Sequence, residues 1–174
     1  MTTYTYTPAF ESAIAFVLEA EGGYVNDPND AGGETNHGIS KRAHPELDIK
    51  ALTVEQAKAI YFDDYWLLSR ADDMPSYMGM AIFDTAVNMG NRTAAKLLQR
   101  AAGVLDDGII GPKTLAAVYK HSPEYLLPQF LSYRALRYHE LADEPDEEHN
   151  KRFIRGWLKR TFELQQRLYE DRLL

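Results

Sequence analysis

A single turn-rich stretch interrupts a chain whose pattern is otherwise helical. Residues 22–40 read GGYVNDPNDAGGETNHGIS and are dense in glycine, asparagine, aspartate and proline, residues that favour turns and short hairpins over helices. On both sides of this stretch, apolar residues recur at helical spacing. The pattern predicts a mainly α fold, with a small β-hairpin or loop region near residues 22–40.

Helix start and stop signals divide the rest of the chain. Thr7 before Pro8 predicts a capped helix that runs to Glu21 and stops at the following glycines. The segment TVEQ, which begins at Thr53, fits a capping box and predicts a helix through Trp66. Further helices are predicted over 75–89, 92–102, from Pro112, from Pro123 with a kink at Pro128, and over 151–172, with an acidic linker at 140–150.

Composition excludes several classes of protein. The length of 174 residues suits one ordinary domain, or a small one with an appendage, and the net charge of −7 argues against a generic nucleic-acid binder. With no cysteine in the chain, disulfide and thiolate chemistry are unavailable. The start MTTYTYTPAFES lacks the basic region of a secretory signal, and no stretch has the length and hydropathy of a membrane span.

The charge is uneven along the chain. Residues 151–172 hold seven basic and three acidic side chains, a net of +4, which leaves −11 for the remainder. A basic tail on an acidic body favours a polyanionic surface as partner. The alternative is an ordinary solvated helix face.

Glu21 stands out among the acidic residues near the first predicted helix end. On a helical wheel it continues the apolar stripe of Phe10, Ile14 and Val17, whereas Glu19 falls on the opposite face. Burial disfavours the charged form of a carboxyl group, and a protonated carboxyl is what a general acid needs. The alternative is that Glu21 leans into solvent at a frayed helix end.

Two more polar residues follow in the turn-rich stretch. Asp30 lies in a glycine-flanked, polar segment, and Thr35 comes five residues later. Glycoside cleavage uses two carboxyl groups in contrasting environments, because one protonates the leaving oxygen while the other stays ionised. Asp27 competes with Asp30 for the second role, although its position before Pro28 is typical of a turn-forming residue.

Other chemistries fit this stretch poorly. The glycines from Gly33 to Gly38 have phosphate-loop spacing, but Ile39 stands where that motif needs lysine. An EF-hand reading fails because Ala31 and Gly38 occupy ligand positions. The histidines lack metal-ligand spacing. The sequence therefore predicts no metal site and no cofactor.

The stretch from Glu21 to Ser40, EGGYVNDPxDxGGxTxxGIS, resembles the signature of glycoside hydrolase family 108. These enzymes are N-acetylmuramidases found as phage endolysins and in Gram-negative bacterial genomes. In that family the glutamate of EGGY is the catalytic acid, which the resemblance transfers to Glu21. The spacing to Asp30 and Thr35 is similar to the broader phage-lysozyme pattern of Glu, Asp and Thr, in which the threonine lies one residue further on.

Later motifs extend the resemblance over most of the chain. YFxxYW from Tyr61 and FDxAVNxG from Phe83 resemble the same catalytic domain. Asp84 and Asn88 share a helix face, where we expect them to line the sugar cleft. The alternative is that Asp84 is an ordinary acidic residue on the helix surface. Tyr24 and Tyr65 are candidates for stacking on sugar rings, and Trp66 is better explained by core packing.

A final pair of motifs resembles a peptidoglycan-binding-like region. LLQRAAG from Leu97 and DGIIGPKT from Asp107 predict a helix, a tight glycine turn and a helix opened by proline. The resulting organisation is a catalytic region over 1–92 and a helical peptidoglycan-binding-like region over 93–174, packed as one lysozyme-like unit.

The resemblance implies a lysozyme-type muramidase that hydrolyses the β-1,4 bond between N-acetylmuramic acid and N-acetylglucosamine. Glu21 would be its general acid, with Asp30 and Thr35 orienting water or stabilising the transition state. Inversion is expected if the two carboxyl groups lie ~6.5–9.5 Å apart, and retention at ~5–5.5 Å. A lytic transglycosylase and a non-catalytic wall-binding or virion module remain as alternatives.

The expected partner is the peptidoglycan glycan strand, with an anionic wall or outer-membrane surface as a second partner of the basic helix at 151–172. A monomer is expected. An endolysin without a signal sequence would accumulate in the host cytoplasm and reach the wall through a holin, although a prophage or bacterial enzyme with another export route would look the same.

Overall fold

The computed structural model describes residues 4–26, 33–143 and 153–171. Its contacts divide the chain into two compact units, Met1–Asp64 and Tyr65–Leu174. The predicted fold class is confirmed, because the described residues form α-helices together with one three-stranded antiparallel sheet. Within those residues, no helix is both long and apolar enough to cross a membrane.

The first unit opens with helix α1, Pro8–Glu21, as its capping signals predict. The Thr7 hydroxyl accepts a hydrogen bond from the Phe10 amide at 3.3 Å, which satisfies one of the free N–H groups of the first turn. At the other end Gly22 has a φ of 76°, a left-handed conformation that ends the helix and suits a residue without a side chain. The buried face of α1 comprises Phe10, Ala13, Ile14, Phe16 and Val17.

The turn-rich stretch forms the sheet, in the order β1–β2–β3. Its strands are β1 Val25–Asn26, β2 Glu34–Asn36 and β3 Ile39–Ser40. Thr35 lies in the central strand and pairs with Val25 on one side and Ser40 on the other. The side chain of Asn36 anchors this strand, because its buried amide donates to the Ile49 carbonyl at 3.0 Å.

Helix α2, Val54–Tyr61, begins with the predicted capping box. The Gln56 amide donates to the Thr53 hydroxyl at 3.2 Å, and the Thr53 amide donates to the Gln56 side chain at 2.9 Å. The α-helical geometry ends earlier than predicted. Residues Phe62–Trp66 continue it as a π-helical turn, a widened geometry that hydrophobic spacing alone does not reveal.

The second unit is helical in its described residues. After a 3₁₀ turn at Ala71–Asp73, its helices are α3 Ser76–Met89, α4 Asn91–Ala101, α5 Pro112–Lys120, α6 Pro123–Asp143 and α7 Ile154–Glu170. Helix α3 is the most deeply buried of these, since residues 77–86 are all buried. It packs against α4 and α6, and α6 packs against α7.

The predicted linker at 140–150 starts inside a helix, because α6 continues to Asp143; residues 144–150 lie outside the described residues. Helix α6 also includes Pro128. Pro128 lacks the N–H that would bond the Glu124 carbonyl, and both residues are exposed.

The glycine turn between α4 and α5 is built around a buried amide. Gln99 is 1% exposed, donates to the Asp107 carboxylate at 2.7 Å and accepts from the Gly108 amide at 2.8 Å. Gly108 has a φ of 80°. The helix–turn–helix arrangement predicted from the DGIIGP motif is therefore confirmed.

Candidate functional site

Glu21 is the last residue of α1 and is half-buried. The stripe that leads to it is confirmed, since Phe10, Ile14 and Val17 each have 0% exposure. Glu19 is exposed, as its place on the wheel predicts. The helix therefore presents one acidic side chain at the end of its core stripe and another to solvent.

A tight turn lies against the Glu21 side chain. His37 and Gly38, between β2 and β3, both have positive φ, at 52° and 78°. A Cβ atom placed on Gly38 would lie 2.8 Å from Glu21 Cγ and 2.9 Å from Glu21 Oε2. No side chain fits at this position without displacing the carboxyl group, so the backbone of the turn is in close contact with it.

Tyr61, the last residue of α2, approaches the same point. A Cβ on Gly38 would overlap the Tyr61 hydroxyl oxygen, and that hydroxyl donates to the His37 carbonyl at 2.9 Å. The tyrosine is only 3% exposed. Its hydroxyl therefore fixes the turn, and sequence reasoning missed this role because Tyr61 lies 24 residues from His37.

The other proposed catalytic residues are placed less completely. Thr35 is half-buried in the central strand β2. Asp30 lies outside the described residues, as does its competitor Asp27. The roles of Asp30 and Thr35, and the separation between the carboxyl groups of Glu21 and Asp30, stay predictions.

Tyr24, a candidate sugar-stacking residue, precedes β1 and is 40% exposed. Its hydroxyl donates to the Glu34 carboxylate at 3.0 Å. Partial desolvation and the Glu34 carboxylate together raise the pKa of Tyr24. The ring is accessible to a ligand, and its stacking on sugar stays a prediction.

Two further aromatic residues lie at the start of the second unit. Tyr65 is half-buried in the π-helical turn, and its sugar contact stays a prediction. Trp66 is 1% exposed; its ring nitrogen donates to Asp72 at 2.8 Å and its ring meets the edge of Phe83. The expectation that Trp66 packs in the core is confirmed.

Asp84 occupies a buried ionic network. It is 1% exposed, and its two carboxylate oxygens take separate partners: Arg134 Nη1 at 2.6 Å and Arg160 Nη2 at 2.8 Å. Burial raises the pKa of Asp84, but the two guanidinium charges and their hydrogen bonds outweigh it and hold that pKa below its usual value. The network joins α3, α6 and α7. The alternative that Asp84 is an ordinary surface acid is therefore wrong.

Asn88 belongs to the same network. Its side-chain oxygen accepts from the Tyr138 hydroxyl at 2.7 Å, and that hydroxyl accepts from Arg134 Nε at 3.1 Å. Asp84 and Asn88 thus share a helix face, as their spacing implies, and both have partners within the second unit. Their contact with sugar stays a prediction.

The basic helix is less uniformly solvated than its sequence implies. In α7, the Arg160 guanidinium contacts the buried Asp84 carboxylate. Arg167 Nε lies 3.1 Å from Asp171 Oδ1. Arg155 and Lys159 are exposed, and Lys159 lies 3.2 Å from Glu163. Lys151, Arg152 and Arg172 lie outside the described residues. The described residues contain no group of three or more potential metal ligands.

Comparison with known proteins adds three findings. A family model described as Glycosyl hydrolase 108 matches residues 14–90, and one described as Predicted Peptidoglycan domain matches residues 93–162. The solved structure of SagA from Brucella abortus is 33% identical, with a TM-score of 0.79, and the match covers 92% of this chain and 94% of that one. A search of curated proteins found no match.

Proposed function

Because the chain belongs to glycosyl hydrolase family 108 and continues into a peptidoglycan domain, we propose that it is an N-acetylmuramidase. Its family makes it a peptidoglycan-degrading glycoside hydrolase. The proposal adds the bond, which is the β-1,4 linkage from N-acetylmuramic acid to N-acetylglucosamine, and the residue that protonates it, Glu21.

The reaction needs one proton donor and one water molecule. The Glu21 carboxyl gives its proton to the glycosidic oxygen as the bond from that oxygen to the anomeric carbon breaks. Water adds to the anomeric carbon and releases a proton to solvent, from which Glu21 is reprotonated, and the muramic acid product carries a reducing end. Asp30, with Thr35, orients this water or stabilises the oxocarbenium-like transition state.

The placement of Glu21 is the observation that carries the proposal. It continues a fully buried stripe, is itself half-buried, and lies in contact with the Gly38 turn. A partly desolvated carboxyl group on a rigid helix is suited to proton transfer, because the helix fixes its direction and the surroundings limit its hydration.

Product analysis tests both the bond and the acid. Purified peptidoglycan is digested with the protein, and the released muropeptides are analysed by mass spectrometry. We expect N-acetylmuramic acid at the reducing ends. Glu21→Gln should abolish release and preserve the fold, whereas Glu19→Gln, an exposed acid on the same helix, should leave release unchanged.

Each alternative has its own outcome in this experiment. Ends of the 1,6-anhydro type would identify a lytic transglycosylase, which needs no water-activating carboxylate. Release that survives Glu21→Gln would overturn the catalytic assignment. No release from any wall preparation, with binding retained, would identify a non-catalytic wall-binding module.

We further propose that the exposed cations of α7 attract an anionic wall or outer-membrane surface. Arg155 and Lys159 are the residues to neutralise, because Arg160 is committed to the buried Asp84. Arg155→Gln with Lys159→Gln should weaken sedimentation with wall material at low salt, and the difference should shrink as salt screens the charges. Unchanged sedimentation at low salt would refute the attraction.

We also propose that the protein acts as an endolysin, which leaves the host cytoplasm and reaches the wall through a holin. Expression of the protein in a Gram-negative host with and without a co-expressed holin tests it. Lysis only with the holin supports the route, and lysis of equal speed without it contradicts it.

A further inference from the structure

We propose that Gly38 is the positioning residue of Glu21, with the Tyr61 hydroxyl fixing the turn in which Gly38 lies. This inference rests on the proposed function of Glu21 as the general acid. It assigns a role in catalysis to a backbone turn that itself supplies no reacting group.

Gly38 and the Glu21 side chain are in close contact. A Cβ atom on Gly38 would come within 3.0 Å of both Cγ and Oε2 of Glu21. Both atoms belong to the flexible part of the glutamate side chain, so a larger residue at position 38 would rotate the carboxyl group away from its present direction. The absence of a side chain at Gly38 therefore sets where the carboxyl group lies.

The turn that contains Gly38 is held in place by Tyr61. The Tyr61 hydroxyl donates to the His37 carbonyl, and Tyr61 is held by burial at the end of α2. His37 adopts a positive φ without being glycine, a conformation that the surroundings must hold in place. Tyr61 thus fixes the turn through His37, and Gly38 faces both the Tyr61 hydroxyl and the Glu21 carboxyl group.

The position of the Glu21 carboxyl group should affect the rate of hydrolysis. General acid catalysis requires the carboxyl proton within hydrogen-bond reach of the leaving oxygen, and a displacement of about 1 Å in a reacting group can cost roughly 100-fold in rate. A change at Gly38 should therefore lower kcat and affect KM little, because the acid moves while the sugar-binding surface remains.

The chain contains a matched control for the backbone strain of such a change. Gly33, in the same turn-rich stretch, has a φ of 70°, close to the 78° of Gly38. A Cβ on Gly33 would meet only Lys41 Cβ, at 3.9 Å, an ordinary contact. Gly33→Ala thus introduces a similar strain without touching Glu21.

The experiment compares Gly38→Ala with Gly33→Ala on a soluble glycan of alternating N-acetylmuramic acid and N-acetylglucosamine. We expect Gly38→Ala to lower kcat by about 100-fold with KM nearly unchanged, and Gly33→Ala to keep kcat near wild type. In a Glu21→Gln background, Gly38→Ala should leave glycan affinity unchanged and remove no further activity. Thermal unfolding checks that each variant is folded.

Several outcomes would overturn the inference. Wild-type kcat in Gly38→Ala would do so, as would equal losses of kcat in the two alanine variants, because strain alone would then explain the effect. If Gly38→Ala does not fold, Tyr61→Phe decides: a folded Tyr61→Phe with reduced kcat supports the inference, and one with wild-type kcat overturns it.

The result also separates this inference from the proposed function. An inactive Glu21→Gln beside a fully active Gly38→Ala overturns the positioning role alone. Full activity of Glu21→Gln overturns the general-acid assignment, and the positioning role with it.

Discussion

Glu21 and Asp84 are two carboxyl groups with opposite surroundings. Glu21 ends a helix in the first unit, half-buried against a glycine turn. Asp84 lies in the middle of a helix in the second unit, 1% exposed and held between two guanidinium groups. The sequence motifs mark both residues; Glu21 is the proposed general acid, whereas Asp84 joins three helices of the second unit.

The difference between them begins with burial, because Asp84 is 1% exposed and Glu21 is half-buried. A buried carboxylate with two cationic partners is kept ionised, and its removal leaves uncompensated positive charge in the interior. Glu21 differs in being half-buried at a helix end, so that its side chain is partly open to solvent. Stability and activity should therefore respond oppositely at the two positions.

The largest expected effect on stability is that of Asp84→Asn. It should lower the free energy of unfolding by about 3–5 kcal/mol, because Arg134 and Arg160 lose their counter-charge inside the protein. Glu21→Gln should change the same quantity by less than about 1 kcal/mol. Urea unfolding of both variants measures the difference, and equal losses of stability would break the comparison.

Low pH should also lower the free energy of unfolding, because it protonates Asp84. Its pKa is lowered from an ordinary 3.8, so the stabilisation is present above that value and is lost as the pH falls through the lower folded-state pKa. The wild-type free energy of unfolding should therefore decline below pH 3.8. In Asp84→Asn this part of the decline should be missing, and identical acid profiles would contradict the assignment.

A smaller effect is expected from Tyr138→Phe, which removes one hydroxyl from the same network. The hydroxyl bridges the buried Arg134 and the half-buried Asn88, and its loss removes a hydrogen-bond partner from Arg134 Nε, at a cost of about 1–3 kcal/mol. Thermal unfolding measures this cost. Hydrolysis of peptidoglycan at a temperature where the variant is folded should be retained, and its loss would indicate that Asn88 contacts substrate.

The smallest predicted effect lies in the first unit, at the cap of α2. Thr53→Ala removes one half of the capping box and should cost about 1 kcal/mol in the free energy of unfolding. Thr53→Ser keeps the hydroxyl and serves as the control. A loss in Thr53→Ser equal to that in Thr53→Ala would mean that the threonine methyl group, and not the hydrogen bond, supports the helix.

Features encoded within a few residues could be predicted from the sequence. The Thr7 and Thr53 caps, the glycine end of α1 and the proline starts of α5 and α6 each depend on neighbours along the chain. The wheel also gave the correct face for Glu21, because helix periodicity is local. The turn-rich stretch is predicted as a loop or small β-hairpin for the same reason, and its described residues form a three-stranded sheet.

Features formed by distant residues could not be predicted. Arg134 and Arg160 lie 50 and 76 positions from Asp84, and no spacing rule connects them. The contact of Gly38 with Glu21 depends on how the sheet folds back on α1. The glycine pattern allows this close approach but does not predict it. The resemblance to a family predicts which glutamate is the acid, and the structure shows what surrounds that glutamate.

The ionic network of Asp84 crosses the boundary at which the two family models meet. Asp84 belongs to the residues 14–90 matched by one model, and both of its arginine partners belong to the 93–162 matched by the other. The C-terminal part is therefore not an exchangeable module. A chimaera that joins this N-terminal part to another wall-binding domain needs two guanidinium groups at equivalent places, or Asp84 must be replaced by an apolar residue in the same design.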